Sequence, residues 1–187
     1  KKEALPLYVS LTTDTGSFRF SNTSAKTHRV VAELIEKGID LEKVNDEIYA
    51  RCSLGRTKLL ADLLRDIKVE LGGRMVWSVM PLAMFRKRKA NFEATEGFID
   101  SLRFIKGVCV AFLVIESEQN VWQVSFRAKG PYDVSRIAEV FGGGGHRKAA
   151  GCTFYGSRAD VVEKIRRVVR IYLNGTRKNK KGKIHSA

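Results

Sequence analysis

Apolar and polar positions alternate along this chain with two different periods, and the changes of period mark out its elements. Leu7-Tyr8-Val9-Ser10-Leu11 is a short apolar run that predicts a strand, and it leads straight into the polar turn Thr12-Thr13-Asp14-Thr15-Gly16. Asp14 would then stand at a strand's carboxyl end, where open α/β sheets keep their chemistry. Three helices are predicted next. Ser24 can cap the first, which buries Val30, Val31, Leu34 and Ile35 and stops at Gly38, and the second runs from about Leu41 to Cys52. Ser53 can cap the third, where Leu59, Leu60, Leu63, Leu64 and Ile67 repeat at helical spacing as far as Gly72-Gly73. A lone strand cannot satisfy its own backbone groups, so Leu7 to Leu11 needs partners that the following residues do not supply. The sequence therefore reads as one that starts in mid-domain, in agreement with the lack of an initiating methionine.

Beyond Gly73 the period shortens. Arg74 to Met80 predicts a strand closed by Pro81, and Asn91 to Leu102 a helix that follows the basic run Arg86-Lys87-Arg88-Lys89. Gly107 to Glu116 and Val121 to Ala128 predict a hairpin joined by Ser117-Glu118-Gln119-Asn120. Asp133 can cap a short helix that ends at Gly142, and a strand near Cys152 to Tyr155 leads into a last helix striped by Val161, Val162, Ile165, Val168, Val169 and Tyr172. From Asn174 the chain is polar and basic and reads as a flexible tail.

Charge adds a hint about partners. The 187 residues carry a net charge of +14, and residues 157–187 alone hold ten basic and two acidic side chains. Such a field favours phosphate-rich partners, although a solubilising tail would look the same. The longest apolar run, Val108 to Ile115, is far shorter than the ~20 residues that cross a bilayer, and the N-terminus lacks a signal peptide's apolar core. No membrane partner and a cytoplasmic location are the expectation. Cys52, Cys109 and Cys152 match no metal or redox spacing and read as small reduced residues.

Three places can carry chemistry. Gly142-Gly143-Gly144-Gly145-His146-Arg147-Lys148-Ala149-Ala150-Gly151 holds four successive glycines, which cost conformational entropy. They call for positive φ angles or a close backbone approach; outward N–H groups there would make an anion nest, with His146 as a further donor. A hinge is the alternative, but Ala-Ala-Gly afterwards implies close packing. In the Trp122 to Lys129 strand, alternation puts Trp122, Val124, Phe126 and Ala128 on one face and Gln123, Ser125, Arg127 and Lys129 on the other. The second face suits phosphate, since an arginine fork and a serine hydroxyl both donate, and it equally suits plain solvation. Asp14, followed closely by Gly16, can bind a hard divalent cation or simply form an Asx-turn.

In this order the three pieces resemble the DHH/DHHA1 phosphoesterases, in the branch of bacterial oligoribonucleases (nanoRNases), pAp phosphatases and cyclic-di-AMP or pApA phosphodiesterases. The matching text is Thr13-Asp14-Thr15-Gly16-Ser17-Phe18-Arg19-Phe20, then Val124-Ser125-Phe126-Arg127, then Phe141 through Gly151. The resemblance implies an α/β fold: residues 1–72 as the remnant of a parallel-sheet DHH domain with its linker helix, 73–173 as a DHHA1 substrate-binding domain with a mixed sheet, and 174–187 as the tail. It implies Asp14 as a ligand in a centre of two manganese ions. Ser125 and Arg127 would hold substrate phosphate, and Gly143, Gly144, Gly145 and His146 would complete the pocket. Short RNA or small nucleotides are the implied partners, with longer nucleic acid able to use the basic helix and tail, and a homodimer left open.

Two departures stand out. Ala128 occupies a position where the family commonly has serine, which removes one hydroxyl contact. The Asp-His-His motif that supplies most metal ligands is absent from this chain, and a two-metal centre needs several carboxylates and imidazoles. The chain alone is therefore expected to be inactive, as the C-terminal part of a phosphoesterase. The competing reading is a non-catalytic nucleic-acid-binding module.

Overall fold

A computed structural model describes residues 3–19, 22–50 and 52–182 and divides the chain into two units, Lys1–Cys52 and Ser53–Ala187. The first unit is helical wherever it is described: α1 (Ala4–Asp14), α2 (Ala25–Glu36) and α3 (Leu41–Asn45), the last running on as a π-helical turn at Asp46–Ala50. Arg51 lies outside the described residues. Ser24 starts α2 reciprocally: its Oγ accepts the Thr27 N–H while the Thr27 hydroxyl accepts the Ser24 N–H, both at 3.1 Å.

The strand expected at Leu7–Leu11 is instead the middle of α1. Ala4, Tyr8 and Thr12 are the buried positions, one helical turn apart, while Leu7 is 56% exposed. A five-residue apolar run has the same composition in either element, and here the four-residue spacing of its buried positions wins over the β-like composition. No strand lies beside it among the described residues of the unit. The helix then unwinds through Gly16, Ser17 and Phe18, all with positive φ.

The second unit holds a six-stranded mixed sheet: β1 (Lys68–Glu70), β2 (Met75–Met80), β3 (Val110–Glu118), β4 (Val121–Ala128), β5 (Gly144–His146) and β6 (Ala149–Tyr155), in the order β1-β2-β3-β4-β6-β5. Only β2 and β3 are parallel. Its helices are α4 (Leu54–Arg65), α5 (Leu82–Arg88), α6 (Phe98–Arg103), α7 (Ser135–Glu139) and α8 (Arg158–Gly182), with a 3-10 turn at Phe92–Thr95. The central strand β3 is apolar on both faces. Val110, Phe112 and Val114 pack with α7 and α8, while Ala111, Leu113 and Ile115 pack with Leu59 and Leu63 of α4, Phe85 of α5 and Phe98 and Leu102 of α6.

The α/β class and the mixed sheet follow the expectation, while some details differ. The compact units part at Cys52–Ser53, because α4 buries its leucine stripe against this sheet. The single helix expected over Asn91–Leu102 is two pieces, divided at Gly97, whose φ of 76° breaks the helical path. The basic run Arg86-Lys87-Arg88-Lys89 is the end of α5, where Arg88 donates two hydrogen bonds to the buried Asp62 of α4 at 2.6 and 2.9 Å. At the C-terminus, α8 continues past Asn174, where a flexible tail was expected, to Gly182, and residues 183–187, including His185, lie outside the described residues.

Candidate functional site: an open face of the sheet

The register of β4 decides where the predicted phosphate residues stand. Residues directly paired across a ladder project from the same face. Arg127 pairs with Ala111 on β3 and Ala149 on β6, and Ala149 pairs in turn with His146 on β5. In the next row Ser125 lies between Leu113 and Gly151, and Gly151 pairs with Gly144. A third row carries Ile115, Gln123 and Thr153, where the Thr153 hydroxyl meets the Gln123 amide oxygen at 3.2 Å. At β3 this face is packed by α4, α5 and α6, whereas at β6 and β5 its floor in the first two rows is glycine and alanine. Arg127 and His146 therefore flank a low floor two strand spacings, or roughly 10 Å, across. The structure brings Ser125, Arg127, Gly144 and His146 to one face.

Positive φ and close backbone approach are both found in the glycine run, but two of its amides are not turned outward. The Gly142 and Gly143 amides point inward, donating to the Glu139 and Ala138 carbonyls at 3.1 and 3.0 Å, and Gly142 adopts a φ of 71°. This is a helix C-cap for α7, not an outward nest. A Cβ at Gly143 would stand 2.2 Å from the Gly151 carbonyl oxygen, and one at Gly145, where φ is 139°, would stand 2.6 Å from that of Ala149. Gly143 and Gly145 are glycine because β6 occupies the space where their Cβ atoms would stand. Gly144 differs, with open space where its Cβ would be.

Arg127 is half-buried and leans toward α6. It donates to the Phe126 carbonyl at 3.1 Å, and its Nε lies 3.8 Å from Asp100 Oδ1, whose closer partner is Arg103 Nε at 2.9 Å. The Arg127–Asp100 pair is long and part-exposed, a geometry worth under ~1 kcal/mol, so the guanidinium is only weakly committed to that carboxylate. Lys129, next on the same face, donates to the Ile105 carbonyl at 3.2 Å. Asp100 and Arg103 were absent from the sequence-based site, their i, i+3 spacing being the available signal, whereas alternation had already placed Lys129 on this face. Ala128 is buried in the opposite core, so a serine hydroxyl at that position would not reach this face.

Asp14 belongs to the other unit, as the last residue of α1, exposed, with Ser10 Oγ 3.4 Å from its carboxylate. It is not at a strand's carboxyl end. Among the described residues no group of three or more His, Cys, Asp or Glu side chains could hold a metal ion. One carboxylate does not supply the ligands that two manganese ions require, so these residues do not fit that centre. Phe20, at the end of the first matching stretch, lies outside the described residues.

The DHHA1 domain family matches residues 72–175. The chain is 32% identical over 168 residues to the bifunctional oligoribonuclease and PAP phosphatase NrnA of Thermus thermophilus, an alignment covering 89% of this chain and 50% of that protein. It is 26% identical to NrnA of Bacillus subtilis, covering 82% of this chain and 48% of that one. Among solved structures, an exopolyphosphatase-related protein from Bacteroides fragilis superposes with a TM-score of 0.85 at 27% identity, over 90% of this chain and 50% of that one. The chain spans about half the length of the curated relatives it matches. With a six-stranded mixed sheet that carries Gly144-Gly145-His146 on its edge strand β5 and Ala149-Ala150-Gly151 on the neighbouring β6, the chain belongs to the DHHA1 domain family.

Proposed function

We propose that this chain is the C-terminal part of a phosphoesterase that hydrolyses short oligoribonucleotides or small nucleotides such as pAp and pApA, and that its unit 53–187 binds their phosphate. The carrying observation is the common face of Ser125, Arg127 and His146 over a glycine and alanine floor. Arg127 offers a guanidinium fork, Ser125 a hydroxyl, and the β5 edge presents backbone groups not used by β6. The relatives named for oligoribonuclease and PAP phosphatase activity support this substrate class. The described residues, Asp14 included, do not fit a two-metal centre, so the unit's part in the reaction is to bind substrate. The chain alone is then a binding part without turnover.

Titration of the 187-residue chain with pAp tests this directly. Arg127→Ala is expected to weaken binding at least tenfold, and in the parent enzyme to lower kcat/KM for a short oligoribonucleotide by a similar factor. A loss within threefold, under ~1 kcal/mol, would remove Arg127 from the site.

The nucleic-acid-module reading draws on α8, where Lys164 and Arg167 are exposed. The same helix spends Arg166 and Arg170 on Glu70, at 2.7 and 2.9 Å. Steeply salt-dependent binding of long RNA, abolished by removing residues 174–187, would favour that reading over a pocket for short ligands.

A further inference from the structure

The apolar side of α6 is Phe98, Ile99 and Leu102, all buried. Its other side presents Asp100, Arg103 and the following Phe104 at i, i+3 and i+4, so these three share one face. That face borders the phosphate residues, because Asp100 contacts both Arg103 and Arg127. Phe104 is held in place from both sides: its N–H donates to the Asp100 carbonyl at 2.9 Å, and Lys129 donates to the carbonyl of Ile105. The Arg103 guanidinium lies over its ring, 4.9 Å from the centroid. The ring is nevertheless 57% exposed. One covered face and that much exposure together mean that the opposite face is open.

Single exposed aromatics are ordinary on protein surfaces. This one is distinguished by fixed backbone, a stacked guanidinium and an unbroken chain of contacts to Arg127. We infer that Phe104, backed by Arg103, is a stacking platform for the nucleobase of the nucleotide whose phosphate Arg127 holds. The platform rests on the phosphate-binding reading for its partner, but its own ligand is a base. Stacking accepts any base through its π face, so this subsite favours nucleotides over base-free phosphate esters without selecting a sequence. Asp100 acts as a positioning residue: it keeps Arg103 over the ring and releases Arg127 when phosphate arrives.

Three probes test it on the 187-residue chain: adenosine, ribose 5-phosphate and pAp, followed by titration and by NMR of the Phe104 ring. Adenosine is expected to move the ring resonances upfield in the wild type and in Arg127→Ala alike. Phe104→Ala should weaken pAp binding by roughly fivefold or more, the lower end of what one stacked base contributes, and leave ribose 5-phosphate within twofold. Phe104→Trp should restore pAp affinity. If adenosine leaves the ring unmoved, or Phe104→Ala binds pAp within twofold of wild type, the platform is wrong. If Arg127→Ala binds ribose 5-phosphate as well as wild type while Phe104→Ala behaves as expected, only the phosphate assignment fails and the platform stands. Phe104 is outside the core, and an unchanged amide spectrum elsewhere in the variant confirms that the loss is local.

Discussion

Gly143→Ala isolates what the glycine run is for. If the run exists to approach a ligand, an added methyl group should harm binding and spare the fold. The structure predicts the reverse at this position. The new Cβ would lie 2.2 Å from the Gly151 carbonyl oxygen and 2.5 and 2.9 Å from Cys152 Cβ and Cα, so relief needs movement of about an ångström. The obstructing atoms are mostly backbone of β6, which is paired with β4 on its other side, and Gly151 itself already sits where a Cβ would be 2.9 Å from the Val124 carbonyl oxygen. Neither strand can yield cheaply, which places the cost at the upper end of overpacking, about 3 kcal/mol. Gly144→Ala is the internal control, one residue away, with open space and no positive φ, and is expected to stay within about 0.5 kcal/mol. Urea unfolding followed by tryptophan fluorescence measures both. Trp77 and Trp122 are the two tryptophans and both lie in the second unit, so the signal reports that unit alone. Trp122 also reports this region directly, since it pairs with Phe154 of β6 and donates to the Gly156 carbonyl at 3.0 Å. Equal stability of wild type and Gly143→Ala, or an equal loss in Gly144→Ala, would refute the close-packing account.

Glu70 joins β1 to α8: burial pushes its carboxyl up, but hydrogen bonds from Arg166, Arg170 and Trp77 outweigh this and bring it down to about 2. A depressed carboxyl stabilises the fold above its unfolded value near 4.5 and loses that contribution as pH falls toward 2, so Glu70→Gln should cost about 2–3 kcal/mol at pH 7 and flatten the acid limb of a stability-versus-pH curve; an unchanged slope between pH 5 and about 2 would count against it. Arg88's hydrogen bonds hold Asp62 below the ordinary carboxylate range against the upward push of burial. Arg88→Met should therefore lower the unfolding midpoint more at pH 7 than at pH 3, where Asp62 can protonate, and an equal loss at both would refute the pairing. Burial pushes the Cys152 thiol up to about 11, so in the native protein at pH 8 it should resist alkylation by iodoacetamide, which mass spectrometry of the peptides reads.

The regularity of the second unit was visible in its residues because both faces of its strands are committed. Trp122 to Ala128 alternates buried and part-buried without exception, and the leucines of α4 repeat at helical spacing. Where only one short run was available, composition misled. Leu7 to Leu11 has the content of a strand, and only its partners could have shown that Tyr8 packs through a helical stripe with Ala4 and Val31. The break at Gly97 was equally hidden, since a glycine inside a helical pattern is tolerated more often than it interrupts. Asp62 and Arg88 are 26 positions apart, and nothing local links them.

The site was half visible for a related reason. Alternation assigns Ser125 and Arg127 to one face, but it cannot say what shares that face from other strands; pairing through β6 to β5 does so, and it converts the glycine run from a loop into an edge strand. That conversion changes the source of binding energy. An anion nest would have offered several amides at no further electrostatic cost, whereas two of the four amides are spent on α7. Recognition then falls more heavily on Arg127, which already has a carboxylate near it, 3.8 Å away at Asp100. A ligand bound through phosphate alone must compete with that carboxylate for one guanidinium. A ligand that also stacks on Phe104 would gain from a group Asp100 does not occupy, so base-bearing phosphates would have the advantage over inorganic phosphate that the proposed nucleotide-binding role needs.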